Sequence, residues 1–120
     1  MIRILLAALA LLALAPAARA ETCLASQYGV GDGYHGRRTA SGAIFNTYAR
    51  APYTLAHRRL PFDTIVRVTS LANGRSIEAV VTDRGPFVRG RCVDLGRAGA
   101  VALGMGGLAH VRVDIVGRRP

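Results

Sequence analysis

The chain has 120 residues, with 16 basic and seven acidic side chains and a formal net charge of +9. A chain of this length has room for one domain, which excludes two-domain enzymes and repeat arrays. Every basic residue is an arginine, so no lysine is present to form a Schiff base, and the positive charges are planar groups suited to carboxylates and phosphates.

Residues 1–20 have the features of a secretory signal peptide. Arg3 supplies a positive charge, residues 4–15 are an unbroken apolar run, and Ala18 and Ala20 are the small residues of a cleavage site. A transmembrane anchor is the alternative, but a helix of this run spans only about 18 Å of a hydrocarbon core of about 30 Å. We therefore predict cleavage after Ala20, export to the periplasm or the extracellular space, and no stable membrane anchor.

The remaining chain, residues 21–120, stays strongly basic. Export argues against nucleic acid as the partner, and the arginines lack the interleaved aromatic pairs that bind single strands. Acidic envelope polymers bearing carboxylates or phosphates are the expected partners. A solvated basic surface that serves only solubility is the alternative.

Cys23 and Cys92 are the only cysteines. An even pair in an exported chain is typical of a disulfide, and closing a loop of about 70 residues would stabilise the fold by roughly 4 kcal/mol. A two-cysteine metal site is the alternative, but further ligands at the usual zinc spacings are missing nearby. We therefore predict a disulfide, no metal and no cofactor.

The first half of the mature chain predicts short strands. Brief β-like pieces occur at 24–28, 44–45 and 54–56, separated by glycine-rich turns. Residues 64–82 predict a hairpin, because two β-branched segments flank the turn sequence Asn73-Gly74.

A helix and a further strand are predicted in the C-terminal part. Residues Arg97–Leu103 favour a short helix that Gly104 stops. Residues 109–116 alternate apolar and polar side chains, which is typical of a strand. Many short strands with one helix predict a small closed barrel, because closure removes the edges that such strands would expose.

Three segments carry possible chemistry. The loop 34–42 holds arginines and hydroxyls that could line a groove, although its composition also suits a solvent loop. His57 lies between apolar residues, where a partly buried, hydrogen-bonded histidine is the alternative to a functional one. Asp83 ends an apolar strand before the turn Gly85-Pro86, so its carboxyl can be partly desolvated yet accessible. The alternative for Asp83 is an Asx-turn that caps turn amides.

Seven short motifs are distributed along most of the chain after residue 24. They lie at 25–29, 35–42, 56–64, 66–69, 73–75, 83–87 and 90–95. In this order they resemble the rare lipoprotein A (RlpA-like) family. The resemblance implies that residues 21–120 form a mostly β fold, a small six-stranded double-psi β-barrel with one or two short helices. It also implies action on peptidoglycan, since some members are lytic transglycosylases.

The resemblance also implies roles for individual residues. Asp83 matches the catalytic acid of the family motif Asp-Arg-Gly-Pro-Phe, His57 matches a groove histidine, and Asp94 matches an aspartate of the same groove. One position departs from the family, because Ala43 stands where the enzymes usually carry a glutamate. The comparison with the family also implies a few extra residues near 50–53 that lengthen the following loop, so we expect a remodelled groove rim.

The implied reaction cleaves the β-1,4 bond between N-acetylmuramic acid and N-acetylglucosamine and closes a 1,6-anhydro ring on the former. One carboxyl acting first as acid and then as base suffices, because no water nucleophile takes part. Asp83 is the predicted carboxyl. Tyr28, Tyr34 and His57 are expected to stack on the substrate or to hydrogen-bond it, and Arg84 is expected to contact its carboxylates.

Two other classes of function remain open at this point. The first is a non-catalytic, expansin-like module that binds peptidoglycan without cutting it. The second is a structural role with cell-division or other envelope proteins. Fold-level analogy supports the groove but does not establish its activity. In each case we expect a monomer.

Overall fold

The computed structural model describes residues 20–120, so the predicted signal peptide lies outside them apart from Ala20. No helix that these residues form is long and apolar enough to cross a bilayer. The elements are β1 Glu21–Tyr28, β2 Tyr53–His57, β3 Thr64–Ser70, β4 Ser76–Asp83, β5 Arg91–Gly96, α1 Arg97–Leu103 and β6 Ala109–Arg118.

The six strands close into a barrel in the order β1-β5-β2-β4-β3-β6. The pairs β1/β5 and β2/β4 are parallel, and the other four pairs are antiparallel. β-branched side chains such as Val66, Val81, Val93 and Val111 fill the interior and are fully buried, which suits a pleated core surface. The predicted fold, a mostly β closed barrel with one short helix, is confirmed.

Local sequence signals predicted the hairpin and the helix correctly. β3 and β4 pair antiparallel on either side of Asn73-Gly74, and α1 spans the predicted residues. Gly104 ends α1 with a φ of 73°, and its N–H bonds the carbonyls of Ala100 and Val101.

Two assignments differ from the structure. Residues 44–45 are not a strand, because Ile44 forms only an isolated bridge with Arg38. β5, conversely, was not predicted as a strand. Its register shifts at Cys92, so that buried Cys92 and Val93 follow each other and the alternating pattern is broken.

The predicted disulfide is present. Cys23 on β1 and Cys92 on β5 are bonded, with their Cα atoms 5.8 Å apart. The bond ties the first strand to the strand that leads directly into α1. Both sulfurs are thereby used, which leaves no free cysteine among the described residues.

The end of β1 packs closely against the loop that precedes β2. Gly29 has a φ of 103°, and a Cβ added there would lie 2.5 Å from the Thr47 Cβ and 2.7 Å from the Phe45 ring. Buried Thr47 donates its hydroxyl to the Tyr28 carbonyl at 2.7 Å and accepts the Arg97 N–H at 2.7 Å. This loop is therefore fastened to both β1 and α1.

The disulfide yields a direct prediction. We expect the chain purified without reductant to gain the mass of two hydrogens on reduction, and the reduced form to lose roughly 4 kcal/mol of its free energy of unfolding. Intact-mass measurement and urea denaturation with and without reductant check this. Free thiols in the unreduced protein would contradict it.

The close approach at Gly29 yields a second prediction. We expect Gly29→Ala to lower the free energy of unfolding by at least about 3 kcal/mol, because the new methyl group collides with Thr47 and adopts a disfavoured φ. Gly31→Ala is the matched control, since its φ of 72° is also positive but nothing lies within 4 Å of an added Cβ; it should lose only about 1 kcal/mol. Equal losses in urea denaturation would show that packing at Gly29 is unimportant.

Candidate functional site

Four strands place Ser26, Ala56, Asp83 and Asp94 in one row across the barrel wall. Ala56 on β2 pairs with Asp83 on β4 and with Asp94 on β5, and Asp94 pairs with Ser26 on β1. Because neighbouring strands lie about 4.8 Å apart, two aspartates flank one small alanine with roughly 10 Å between their backbones. Both aspartates and Ala56 line a groove of about 320 Å³.

A β-bulge directs Asp83 into this row. Between β2 and β4 the register passes from Leu55–Val81 to Ala56–Asp83, so Thr82 is an extra residue without a partner across the pair. A bulge bends its strand and re-aims the side chain that follows. Asp83 therefore faces the groove at the last position of β4.

The Asp83 carboxylate accepts three hydrogen bonds. Oδ2 accepts from the Tyr28 hydroxyl at 3.0 Å, and Oδ1 accepts from the backbone N–H of Ala40 and of Arg84, each at 3.0 Å. Of these donors, only the Arg84 N–H belongs to the turn that follows β4. Asp83 therefore caps one turn amide, as in the Asx-turn alternative, but it also binds groups outside the turn. The other two donors come from β1 and from the loop 34–42, and together the three fix the direction of the carboxylate.

The Tyr28 ring is packed against two aromatic neighbours. Its ring stacks on Phe45 with centroids 4.2 Å apart, and Tyr34 meets it edge-on at 5.9 Å. Burial, followed by the negative charge of Asp83, raises the pKa of Tyr28 far above its ordinary value. Tyr28 therefore stays protonated at physiological pH and acts as a hydrogen-bond donor to Asp83.

Asp94 is the second carboxyl of the groove. Burial raises the pKa of Asp94 to about 6, against the lowering effects of the Ser26 hydroxyl at 3.1 Å and of the Arg91 charge. The carboxyl of Asp94 thus changes its charge within one unit of neutral pH. A group that titrates there can give up or take a proton under physiological conditions.

The structure does not place His57 among the groove residues, which differs from the predicted substrate contact. Its side chain is buried, and its Nε2 lies 3.0 Å from a Glu21 carboxylate oxygen. Its Nδ1 accepts the backbone N–H of Arg59 at 3.0 Å and of Leu60 at 3.1 Å. Both ring nitrogens thus have hydrogen-bond partners within the protein, which agrees with the alternative of a buried, hydrogen-bonded histidine.

Arg84 lines the groove, but its guanidinium is engaged by the protein. Nη1 donates to the carbonyls of His57 at 3.2 Å and Leu60 at 2.8 Å, and the group stacks 3.9 Å from the Phe62 ring centroid. Arg91 also lines the groove and is not among the site residues predicted from the sequence. Its place at the start of β5, three residues before Asp94, would have indicated it had β5 been recognised as a strand.

The rim of the groove carries exposed apolar side chains. Phe87 is 77% exposed and Val88 51% exposed, and Tyr34 is 52% exposed at the same groove. Exposed apolar groups beside a cleft commonly mark a binding surface. Phe87 is not among the site residues predicted from the sequence, although an aromatic residue directly after a Gly-Pro turn is a usable signal.

Ala43, the departure from the family motif, lies on a different cavity. It lines a smaller space of about 160 Å³ together with Thr82. Its carbonyl accepts the Thr39 N–H at 2.7 Å, which closes the turn of this loop. The Ala43 side chain itself is therefore not among the residues that line the groove of Asp83.

Comparisons with known proteins agree with the motifs. The sequence profile of the lytic transglycolase family matches residues 21–115. A probable endolytic peptidoglycan transglycosylase RlpA of Nostoc sp. is 53% identical over 97 residues, which are 79% of this chain and 25% of that protein. The endolytic peptidoglycan transglycosylase RlpA of Pasteurella multocida is 46% identical over 85 residues, 69% of this chain and 28% of that protein. The chain thus spans about a quarter of the length of these relatives.

Two solved structures share the fold at low identity. The Streptomyces papain inhibitor is 19% identical with a TM-score of 0.62, covering 84% of this chain and 97% of its own. The expansin of Clavibacter michiganensis is 19% identical with a TM-score of 0.63, covering 85% of this chain and 52% of its own. Because the family profile matches nearly the whole barrel and the relatives share about half of its residues, the chain belongs to the lytic transglycolase family of RlpA-like double-psi β-barrels.

Proposed function

We propose that this domain is a lytic transglycosylase that cleaves peptidoglycan between N-acetylmuramic acid and N-acetylglucosamine, with Asp83 as general acid and base. The observation that carries the proposal is the Asp83 carboxylate, oriented by three hydrogen bonds at the wall of a groove. The names of the RlpA relatives support the substrate class. Export through residues 1–20 would bring the domain to this substrate in the envelope.

The reaction needs one carboxyl and no water. Protonated Asp83 gives its proton to the glycosidic oxygen, and the bond from that oxygen to C1 of N-acetylmuramic acid breaks. The carboxylate left behind takes the proton of the C6 hydroxyl of the same sugar as its oxygen attacks C1, which closes the 1,6-anhydro ring and restores the acid. The donors Tyr28 and Ala40 hold the carboxylate in place between the two transfers.

The groove offers contacts for the sugar and for its acidic substituents. Phe87 and Tyr34 present rings at the rim, and flat amphipathic faces of this kind cover sugar rings well. Arg91 is better placed than Arg84 to meet a lactyl or stem-peptide carboxylate, because the Arg84 Nη1 already donates to two carbonyls. Asp94 supplies a second carboxyl two strands from Asp83.

A non-catalytic, expansin-like binding module is the second candidate. The observation that favours it is Ala43, since the family's enzymes usually carry a glutamate there. In this case the same groove would hold a glycan strand, and Asp83 would contribute hydrogen bonds alone. The two candidates differ in whether any anhydro-ended product forms.

The role of Asp83 is tested by Asp83→Asn. The amide keeps the shape of the side chain but cannot transfer the proton, so we expect glycan binding to persist while anhydro-product formation falls by roughly 10²–10⁴-fold. Glu78→Gln on the same strand is the control, because Glu78 is exposed and forms its ion pair with Arg67, away from the groove. Mass analysis of digested glycan strands provides the readout.

Two results would contradict this assignment. A wild type that yields no anhydro product at any pH would support the binding module. Wild-type turnover that Asp83→Asn leaves unchanged would exclude Asp83 as the acid and direct the search to Asp94, the other carboxyl of the groove.

The raised pKa of Asp94 gives a pH-dependent prediction. The folded state holds this proton up to about pH 6, whereas the unfolded chain releases it near pH 4. Stability therefore falls as the pH rises from about 4 to about 6, by about 1–2 kcal/mol after allowing for solvent screening.

Asp94→Asn should remove this loss, because the amide does not titrate. Relative to wild type, the free energy of unfolding of the variant should therefore rise by about 1–2 kcal/mol between pH 4 and pH 7. Urea denaturation across this range measures the difference, with Glu78→Gln as the control for removing a carboxylate. A difference between Asp94→Asn and wild type that stays constant with pH would refute the prediction.

A further inference from the structure

A second cavity, of about 440 Å³, lies between helix α1 and the loop that precedes β2. We call it the α1 cavity. Its walls include Tyr48 and Arg50 from the loop, Tyr53 from the start of β2, and Arg97 and Val101 from the helix. It shares no lining residue with the groove of Asp83, so it is a separate site.

The α1 cavity carries positive charge without a matching acid. Arg50 and Arg97 line it, and no acidic residue does. Neither arginine takes part in an ion pair among residues 20–120, and the Arg97 Nη1 meets only the neutral side-chain oxygen of Gln27, at 3.1 Å. Two arginines that line one cavity without an ion-pair partner among these residues favour an anionic ligand, above all a carboxylate or a phosphate.

The rest of the wall suits a ring with an apolar face. Tyr48 is 55% exposed, and its ring is fixed edge-on against His35 with centroids 5.3 Å apart. Val101 on α1 is 56% exposed. An aromatic face and an aliphatic patch beside two arginines fit a sugar that carries an acidic group.

The two walls are joined rigidly through Thr47. The Arg97 N–H donates to the Thr47 hydroxyl at 2.7 Å, and the Ala98 N–H donates to the Thr47 carbonyl at 2.9 Å. Arg50 therefore lies three residues after Thr47, which is hydrogen-bonded directly to the first turn of α1. A cavity held in this way is formed before its ligand arrives, which lowers the entropic cost of binding.

We propose that the α1 cavity binds a carboxylated sugar unit, with the carboxylate between Arg50 and Arg97 and the sugar ring against Tyr48 and Val101. The carboxylate can belong to a lactyl-bearing amino sugar of peptidoglycan or to a uronic acid of another envelope polysaccharide. The proposal does not depend on cleavage at Asp83. It concerns the loop for which the resemblance predicts extra residues near 50–53.

The test is a binding titration on the full chain carrying Asp83→Asn, so that cleavage plays no part. N-acetylmuramic acid, glucuronic acid and the neutral N-acetylglucosamine are the probes, followed through the NMR signals of the arginine side chains and of the α1 amides. We expect saturable shifts at Arg50, Arg97 and Val101 with the acids and none with N-acetylglucosamine. Added salt should weaken the binding.

Three variants make the test specific. Arg50→Gln and Arg97→Gln should each weaken binding of the acids by about tenfold, the effect of one lost charge-assisted hydrogen bond. Val101→Glu should abolish it by placing a negative charge in the cavity at an exposed helix position. Arg118→Gln is the matched control, because Arg118 is an exposed arginine at the end of β6 outside the cavity.

The outcomes separate cleanly. Shifts with N-acetylmuramic acid alone support a peptidoglycan source, and equal shifts with glucuronic acid support a general carboxylated-sugar site. Equal binding of N-acetylglucosamine, an equal loss in Arg118→Gln, or no shift at α1 would overturn the proposal. None of these results would alter the turnover test of Asp83, so the two proposals can fail independently.

Discussion

The parallel pairing of β2 with β4 is the constraint on which the candidate active site depends. It sets Ala56 beside Asp83, and the antiparallel pairing of β2 with β5 sets the same alanine beside Asp94. Two carboxyls separated by 11 positions in the sequence thus flank a single small side chain. A shift of one residue in either register would turn the row of polar groups toward the core, since neighbouring strand residues face opposite sides.

The bulge that directs Asp83 has a local cost. Among the described residues, the Thr82 hydroxyl oxygen is the buried side-chain polar atom left without a hydrogen-bond partner. Such an atom typically costs about 1–3 kcal/mol. The other parallel pair, β1 with β5, has its own register shift at Cys92, but there the extra residue forms the disulfide. The two irregularities therefore serve different ends, one directing a carboxylate and the other stabilising the barrel.

The loop between β1 and β2 connects the groove to the α1 cavity. At one end its N–H at Ala40 binds Asp83 and its Phe45 supports the ring of Tyr28. At the other end Thr47 bonds β1 and α1, and Arg50 reaches the second cavity. The residues near 50–53, which the resemblance predicts to be extra, lie beyond Thr47 on the side of α1, whereas Ala40 and Phe45, which support Asp83 and Tyr28, precede it.

The sequence by itself determined the features that neighbouring residues encode. The hairpin around Asn73-Gly74, helix α1 with its Gly104 stop, and the motif that contains Asp83 all depend on short-range signals, namely turn chemistry, capping and the order of a few residues. The disulfide followed from there being only two cysteines in a chain expected to be exported. The barrel class followed from the number and shortness of the strands.

The tertiary structure decided the environment of each side chain. Tyr28 and Ala40, which donate hydrogen bonds to Asp83, are 55 and 43 positions away along the chain. The burial that raises the pKa of Asp94 likewise comes from strands that no local sequence pattern brings together. His57 is a further example of an environment that the sequence did not indicate. Its motif matches that of a groove histidine, but in the fold its side chain is buried and contacts Glu21 and the backbone of Leu60. Burial and hydrogen-bond partners depend on the register between distant strands, and that register is set by closure of the whole barrel.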